Sequence, residues 1–275
     1  MSWIYVVMYV LSRTAAIVLR QYYLMRGNPS RVLSLVVWVI IDIVLWGFIT
    51  KYLNTVTSSG FNFVPALLGA VLLWDFFSRV MYGVTMAFLE DVWSRNFLNL
   101  FASPLSLSEY LSGLVLTAIA TSAVGLIAML VLATTIFGLS FFAIGLMIVP
   151  FLFVLFLFGI ALGIVACTIL LRLGPASEWF VWPIPALISP FVGVFYPLAT
   201  LPHWMQTLSY LLPPSYVFEG MRAILLGGAV SGSRLFCSTG LAVLYILLGC
   251  WFFRRTYLRA VRTGLIARYS AESIS

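Results

Sequence analysis

Asp42, Asp75 and Arg79 are the residues that chemistry singles out first, because each lies inside a long apolar run. Asp75 and Arg79 are four apart. That spacing puts them on one helical face with the acid first, the favourable order for an ion pair. Charges inside a membrane helix are rare and face a bundle interior or a cavity. The pair can therefore line a path for a solute, or it can brace the helix near one interface, and spacing leaves both open. Asp42 carries the same implication with fewer clues. Glu219 and Arg222 follow Pro213-Pro214 and read as structural partners rather than substrate ligands.

Other chemistries are excluded by what the sequence lacks. Lys51, the sole lysine, sits in Ile49-Thr50-Lys51-Tyr52 without glycines, so the chain has no phosphate-binding loop and cannot hydrolyse ATP by that device. One histidine, His203, rules out a multi-histidine metal site. A hydrolase would need His203 as its base, and no G-x-S-x-G elbow accompanies it. Cys167, Cys237 and Cys250 show no metal-ligand spacing. The expectation is no catalytic residue, no metal and no cofactor held by this chain.

The elements that position these charges must be membrane helices. The sequence is 63% hydrophobic and only 8% charged, with a mean hydropathy of +1.11. A soluble domain averages about 25% charged residues, whereas lipid solvates an apolar exterior directly. The net charge of +7 comes almost wholly from arginine. It suits anionic headgroups rather than nucleic acid, for which no basic patch on a soluble fold is present.

One domain over 1–275 is expected, all-α and integral to the membrane, with six transmembrane helices. Residues 1–31 read as an interfacial amphipathic helix, with Arg13 and Arg20 on one face beside Thr14 and Gln21, ended at Asn28-Pro29-Ser30. Six apolar stretches occupy 32–254: about 32–50, 63–89, 111–137, 141–171, one from Trp179, and 235–253. Each is long enough for the roughly 20 residues that cross a bilayer. A basic tail, 255–275, follows. With the N-terminus inside, eleven arginines fall on the inner side against Lys51, Arg222 and Arg234 outside, so both termini are expected in the cytoplasm.

Two segments stand apart. The inner stretch Glu90 to Glu109 mixes Glu90, Asp91, Trp93, Arg95 and Phe97, which suits a docking surface or a helix at headgroup level. Residues 183–214 hold seven of the twelve prolines. Broken backbone at membrane depth survives only inside protein or along a cavity. This span is expected to stop early and return as short re-entrant outer helices, or else to be one kinked helix.

Leu198-Ala199-Thr200-Leu201-Pro202-His203-Trp204, followed by Pro213-Pro214-Ser215-Tyr216-Val217-Phe218-Glu219-Gly220-Met221-Arg222, resembles the signature of ABC-2 type permeases, the membrane subunits of ATP-binding-cassette exporters. The inner stretch with Ser103-Pro104-Leu105-Ser106 resembles that family's loop between its second and third spans. The resemblance implies two copies of the permease, a separate ATPase carrying ATP and Mg, and a bacterial inner-membrane location. It implies that Glu90, Asp91, Trp93, Arg95 and Phe97 form the ATPase-coupling helix. It also implies that Pro202, Pro213, Pro214, Glu219 and Arg222 mark the outer re-entrant pieces. Substrates of such exporters include drugs, other amphiphiles and (lipo)polysaccharides or oligosaccharides. The competing expectation is an ion-coupled secondary carrier using Asp75 and Arg79.

Overall fold

The computed structural model describes residues 2–56, 64–94, 97–139 and 145–264. Among them the secondary structure is helical, with no strand. The chain opens with α1 (Ser2–Arg26), turns at Gly27-Asn28, and enters α2 (Pro29–Val56). Pro29 takes the first position of α2, where a missing N–H costs nothing. A π-turn at Val64–Leu68 leads into α3 (Gly69–Trp93). A short α4 (Phe97–Ala102) precedes α5 (Leu107–Phe137), and a 3-10 turn leads into α6 (Ile148–Leu173). After α7 (Glu178–Val181), α8 (Ile184–Val192), α9 (His203–Ser209) and α10 (Pro213–Leu225), the chain ends its described part with α11 (Gly232–Arg262).

Five stretches among the described residues are long and apolar enough to cross a membrane: Val37–Val56, Ala66–Trp93, Leu107–Phe137, Gly145–Leu173 and Gly232–Arg262. The sequence predicts six, and the difference is the stretch beginning at Trp179. Prolines divide it. Pro183 caps α8, Pro190 lies inside it, Pro202 caps α9 and Pro213 opens α10. Each proline removes a helix donor, so the segment becomes short pieces rather than one kinked rod. Gly138 ends α5 in the left-handed region, at φ +63°.

α3 is the hub. It packs between α5 and α6, α6 carries α11, and α5 carries both α1 and α2. Phe77, Phe88, Phe158 and Phe253 are fully buried around it, with Phe77 and Phe158 stacked at 5.6 Å. Close approach at this hub depends on missing side chains. A Cβ on Gly159 of α6 would stand 2.9 Å from the Val80 Cβ, and one on Gly163 2.7 Å from the Val84 Cβ. Lipid is as apolar as leucine, so helices in a bilayer gain association energy from such tight packing rather than from escape from water.

α1 is amphipathic in an inverted sense. Thr14, Ile17 and Gln21 are buried, while Met8, Tyr9, Leu11, Leu19, Tyr22 and Tyr23 are exposed. Its polar stripe faces α3 and α5, and its apolar face points outward. Ile17 sits on Gly113 of α5, where a Cβ would come within 2.6 Å.

The proline-broken segment is held by side chains that replace lost helix bonds. Tyr196 donates to the Pro190 carbonyl at 2.8 Å, Tyr216 to the Tyr210 carbonyl at 2.8 Å, and Ser215 to the Ser209 carbonyl at 2.6 Å. Ser209 donates to the Phe191 carbonyl. Tyr245 of α11 reaches the Leu211 carbonyl at 3.2 Å. Arg222 donates to the carbonyl of Gly193, which is left-handed at φ +68°, and its other nitrogen meets Glu219 at 2.6 Å. Glu219 in turn accepts from the Leu198 amide at 2.9 Å. The Glu219–Arg222 pair is thus a structural knot joining α10 to the turns on both sides of Pro197.

Gly163→Leu should lower the thermal stability of the purified chain by about 1–3 kcal/mol, the ordinary cost of overpacking. Gly240→Leu should not, because a Cβ there meets nothing within 4 Å. Equal losses in detergent melting curves for the two variants would refute the close-packed seam.

Candidate functional site

A cavity of about 610 Å³ opens between α1, α2, α3 and α5 and the start of the broken segment. α2 contributes Trp38 and Asp42, which are four residues apart and so on one face. α3 contributes Asp75, Arg79, Tyr82 and Met86, and α5 contributes Thr117, Thr121 and Ser122. Trp182, just beyond α7, covers one side. Tyr82 holds it there, donating to the Trp182 carbonyl at 2.8 Å with the two rings 4.9 Å apart. The structure therefore brings together all three charges singled out from the sequence.

They are not equivalent. Arg79 Nε meets Asp75 Oδ2 at 2.7 Å, so this pair is locally neutral. The stem of Arg79 crosses α5 at Gly125, whose absent Cβ would stand 3.1 Å from the Arg79 Cδ. Asp42 makes no hydrogen bond or ion pair among the described residues, although the Asp75–Arg79 pair lies within electrostatic range. Ser122 is also unusual. Thr117 and Thr121 bond back to carbonyls of their own helix at 2.9 and 3.1 Å, as hydroxyls in helices commonly do. Ser122, only 2% exposed, leaves its hydroxyl without a partner among the described residues.

The end of α3 and the start of α5 make a second polar centre. Asp91 is completely buried and accepts from Arg20 of α1 and, at 2.7 Å, from the Tyr110 hydroxyl. Gln21 donates to the Ala87 carbonyl at 3.2 Å. Arg13 lies 3.6 Å from Glu109, whose carboxylate closes a capping box with Ser106 at the start of α5. These contacts tie α1 across the inner ends of two spans.

The docking surface expected over Glu90, Asp91, Trp93, Arg95 and Phe97 is accordingly redistributed. Glu90, Asp91 and Trp93 form the last turn of α3 rather than a separate helix, because the apolar periodicity of α3 continues through them. Asp91 is withdrawn into the protein by its ion pair and cannot present its carboxylate to a partner. Trp93 is exposed. Arg95 lies outside the described residues, and Phe97 opens α4. Of the outer signature residues, Pro202, Pro213, Pro214, Glu219 and Arg222 converge on the knot described above. The partner of Asp91 was not evident from the inner stretch. The signal was the Arg13, Thr14, Arg20, Gln21 stripe, which needed somewhere polar to face.

A family model described as ABC-2 type transporter matches residues 12–226, from α1 through α10. The chain belongs to that family. The match takes in the cavity, the polar centre at Asp91 and the proline-broken segment. No curated protein matches the sequence. As an ABC-2 type transporter chain with five long apolar helices, it is a multi-pass membrane protein and the permease component of an ABC transporter.

The two α1 ion pairs should differ in worth. Removing one partner of a buried pair strands a charge and costs about 3–5 kcal/mol, whereas a partly exposed pair is worth about 1 kcal/mol or less. Arg20→Ala should therefore destabilise the ABC-2 permease strongly, Arg13→Ala little, and Asp91→Asn should restore part of the Arg20→Ala loss. Thermal melts of the four proteins check this, and equal losses for the two single arginine variants would show that Asp91 is not the anchor.

Proposed function

We propose that this chain forms, as a pair of copies, the export path of an ATP-driven transporter whose ATP hydrolysis is carried out by a separate ATPase chain. The observation that carries the reading is the family match over residues 12–226. The lack of a phosphate-binding loop is consistent with an energy source on another chain. In this reading ATP and Mg bind the partner. The exposed Trp93, with Arg95, Phe97 and α4, faces the ATPase at the cytoplasmic side. Asp91 and Arg20 transmit movement of that end to α1, and the knot at Glu219 and Arg222 shapes the outer exit. Both termini lie in the cytoplasm of a bacterial cell, where the arginine bias would leave them. Substrate crosses outward as an amphiphile, a drug or a saccharide conjugate.

Purification of the tagged chain in mild detergent should recover a soluble ATPase in near-equal amount. Arg95→Ala/Phe97→Ala should weaken that capture by roughly tenfold or more, the scale of an interface hot spot, with membrane insertion unchanged. Unchanged capture by the double variant would overturn the assignment of the docking helix. Substrate transport by the chain alone in liposomes without ATP would instead favour an ion-coupled carrier.

A further inference from the structure

The cavity between α1, α2, α3 and α5 holds one acid that the described residues leave unpaired. Asp42, Asp75 and Arg79 are among the charged residues of its lining. Arg79 meets Asp75 at 2.7 Å. Asp42 is left without a hydrogen bond or ion pair among the described residues. An isolated carboxylate in an apolar, membrane-embedded setting is unfavourable, and a bound cation would relieve it.

Three further features favour a particular kind of cation. The volume of about 610 Å³ falls within the roughly 300–1,000 Å³ typical of sites for drug-sized ligands. Trp38 lies on the same face of α2 as Asp42, and Tyr82 and Trp182 stand opposite on α3 and the broken segment. Aromatic faces attract cations and bury apolar groups at once. Ser122, 2% exposed and with no hydroxyl partner among the described residues, lines the same cavity and supplies one polar contact in reserve. A saccharide would need many hydrogen bonds, and this lining offers few. An anion would meet Asp42 with like charge.

We infer that this cavity binds a lipophilic organic cation, with Asp42 as its counter-ion and Ser122 as a polar anchor. The inference deepens the exporter reading and rests on it for the direction of movement, but binding itself requires no ATPase.

Tetraphenylphosphonium and tetraphenylborate provide the test, being nearly the same size and opposite in charge. Equilibrium binding to the full chain in lipid nanodiscs, without ATP or partner, should show saturable binding of tetraphenylphosphonium and much weaker binding of tetraphenylborate. Asp42→Asn should weaken the cation by roughly tenfold or more and leave the anion unchanged or improved, while Asp42→Glu should retain the cation. Ser122→Ala should weaken it by a smaller factor. Equal binding of the two ions to the wild-type chain, absence of saturable cation binding, or an unchanged cation affinity in a folded Asp42→Asn protein would each overturn the inference. If the Asn variant does not fold, the wild-type preference between the two ions decides. Capture of an ATPase is measured separately, so a failed exporter reading and a failed cation site give different results.

Discussion

Polar groups in this protein must find partners without help from water, and most of its architecture follows from that constraint. Only 8% of the residues are charged, and five helices among the described residues are long and apolar enough to cross a membrane. Unsatisfied backbone in hydrocarbon costs several kcal/mol per group. The proline-broken segment meets the constraint by substitution, using Tyr196, Ser209, Ser215, Tyr216 and Arg222 as donors to carbonyls that the helix breaks leave open. The end of α3 meets it by pairing, with Asp91 accepting from both Arg20 and Tyr110. Both ends of the bundle are thus fixed by polar contacts, and α3 and α6 are brought together by glycines.

Against that background, the cavity is where the constraint relaxes. Neighbouring hydroxyls on α5 behave differently: Thr117 and Thr121 are satisfied within the helix, and Ser122 has no partner among the described residues. Two acids of the interior differ in the same way, Asp75 being paired and Asp42 not. Departures from local consistency concentrate at functional sites. Here the two departures line the same space.

The long spans were legible because hydrophobicity over about 20 residues is a strong signal, and the ends of α2, α5 and α11 lie within several residues of the expected limits. The prolines between 183 and 214 correctly announced broken helices. They also meant that the fifth stretch is not a single rod, which its hydropathy alone suggested. The Asp75–Arg79 pair followed from helical spacing, and Glu219 and Arg222 read as structural partners from their place after Pro213-Pro214. Asp91 was misplaced on a docking face because its partner is 71 residues away, and no local pattern reports such a contact. Ser122 was invisible for a similar reason. Whether a hydroxyl bonds its own helix depends on its rotamer and on the space beside it, not on the residue type.

The inverted polarity of α1 sets an order of events. Its inward stripe has nothing polar to meet until α3 and the start of α5 exist, since Arg20 needs Asp91, 71 residues later in the chain. At translation rates of about 5–20 residues per second, that interval is roughly 4–14 s. A helix of this length forms in about a microsecond. During the wait, both arginines depend on water and headgroups at the membrane surface. The helix is made early and completed late relative to its partners, on a schedule kept by the ribosome rather than by the helix.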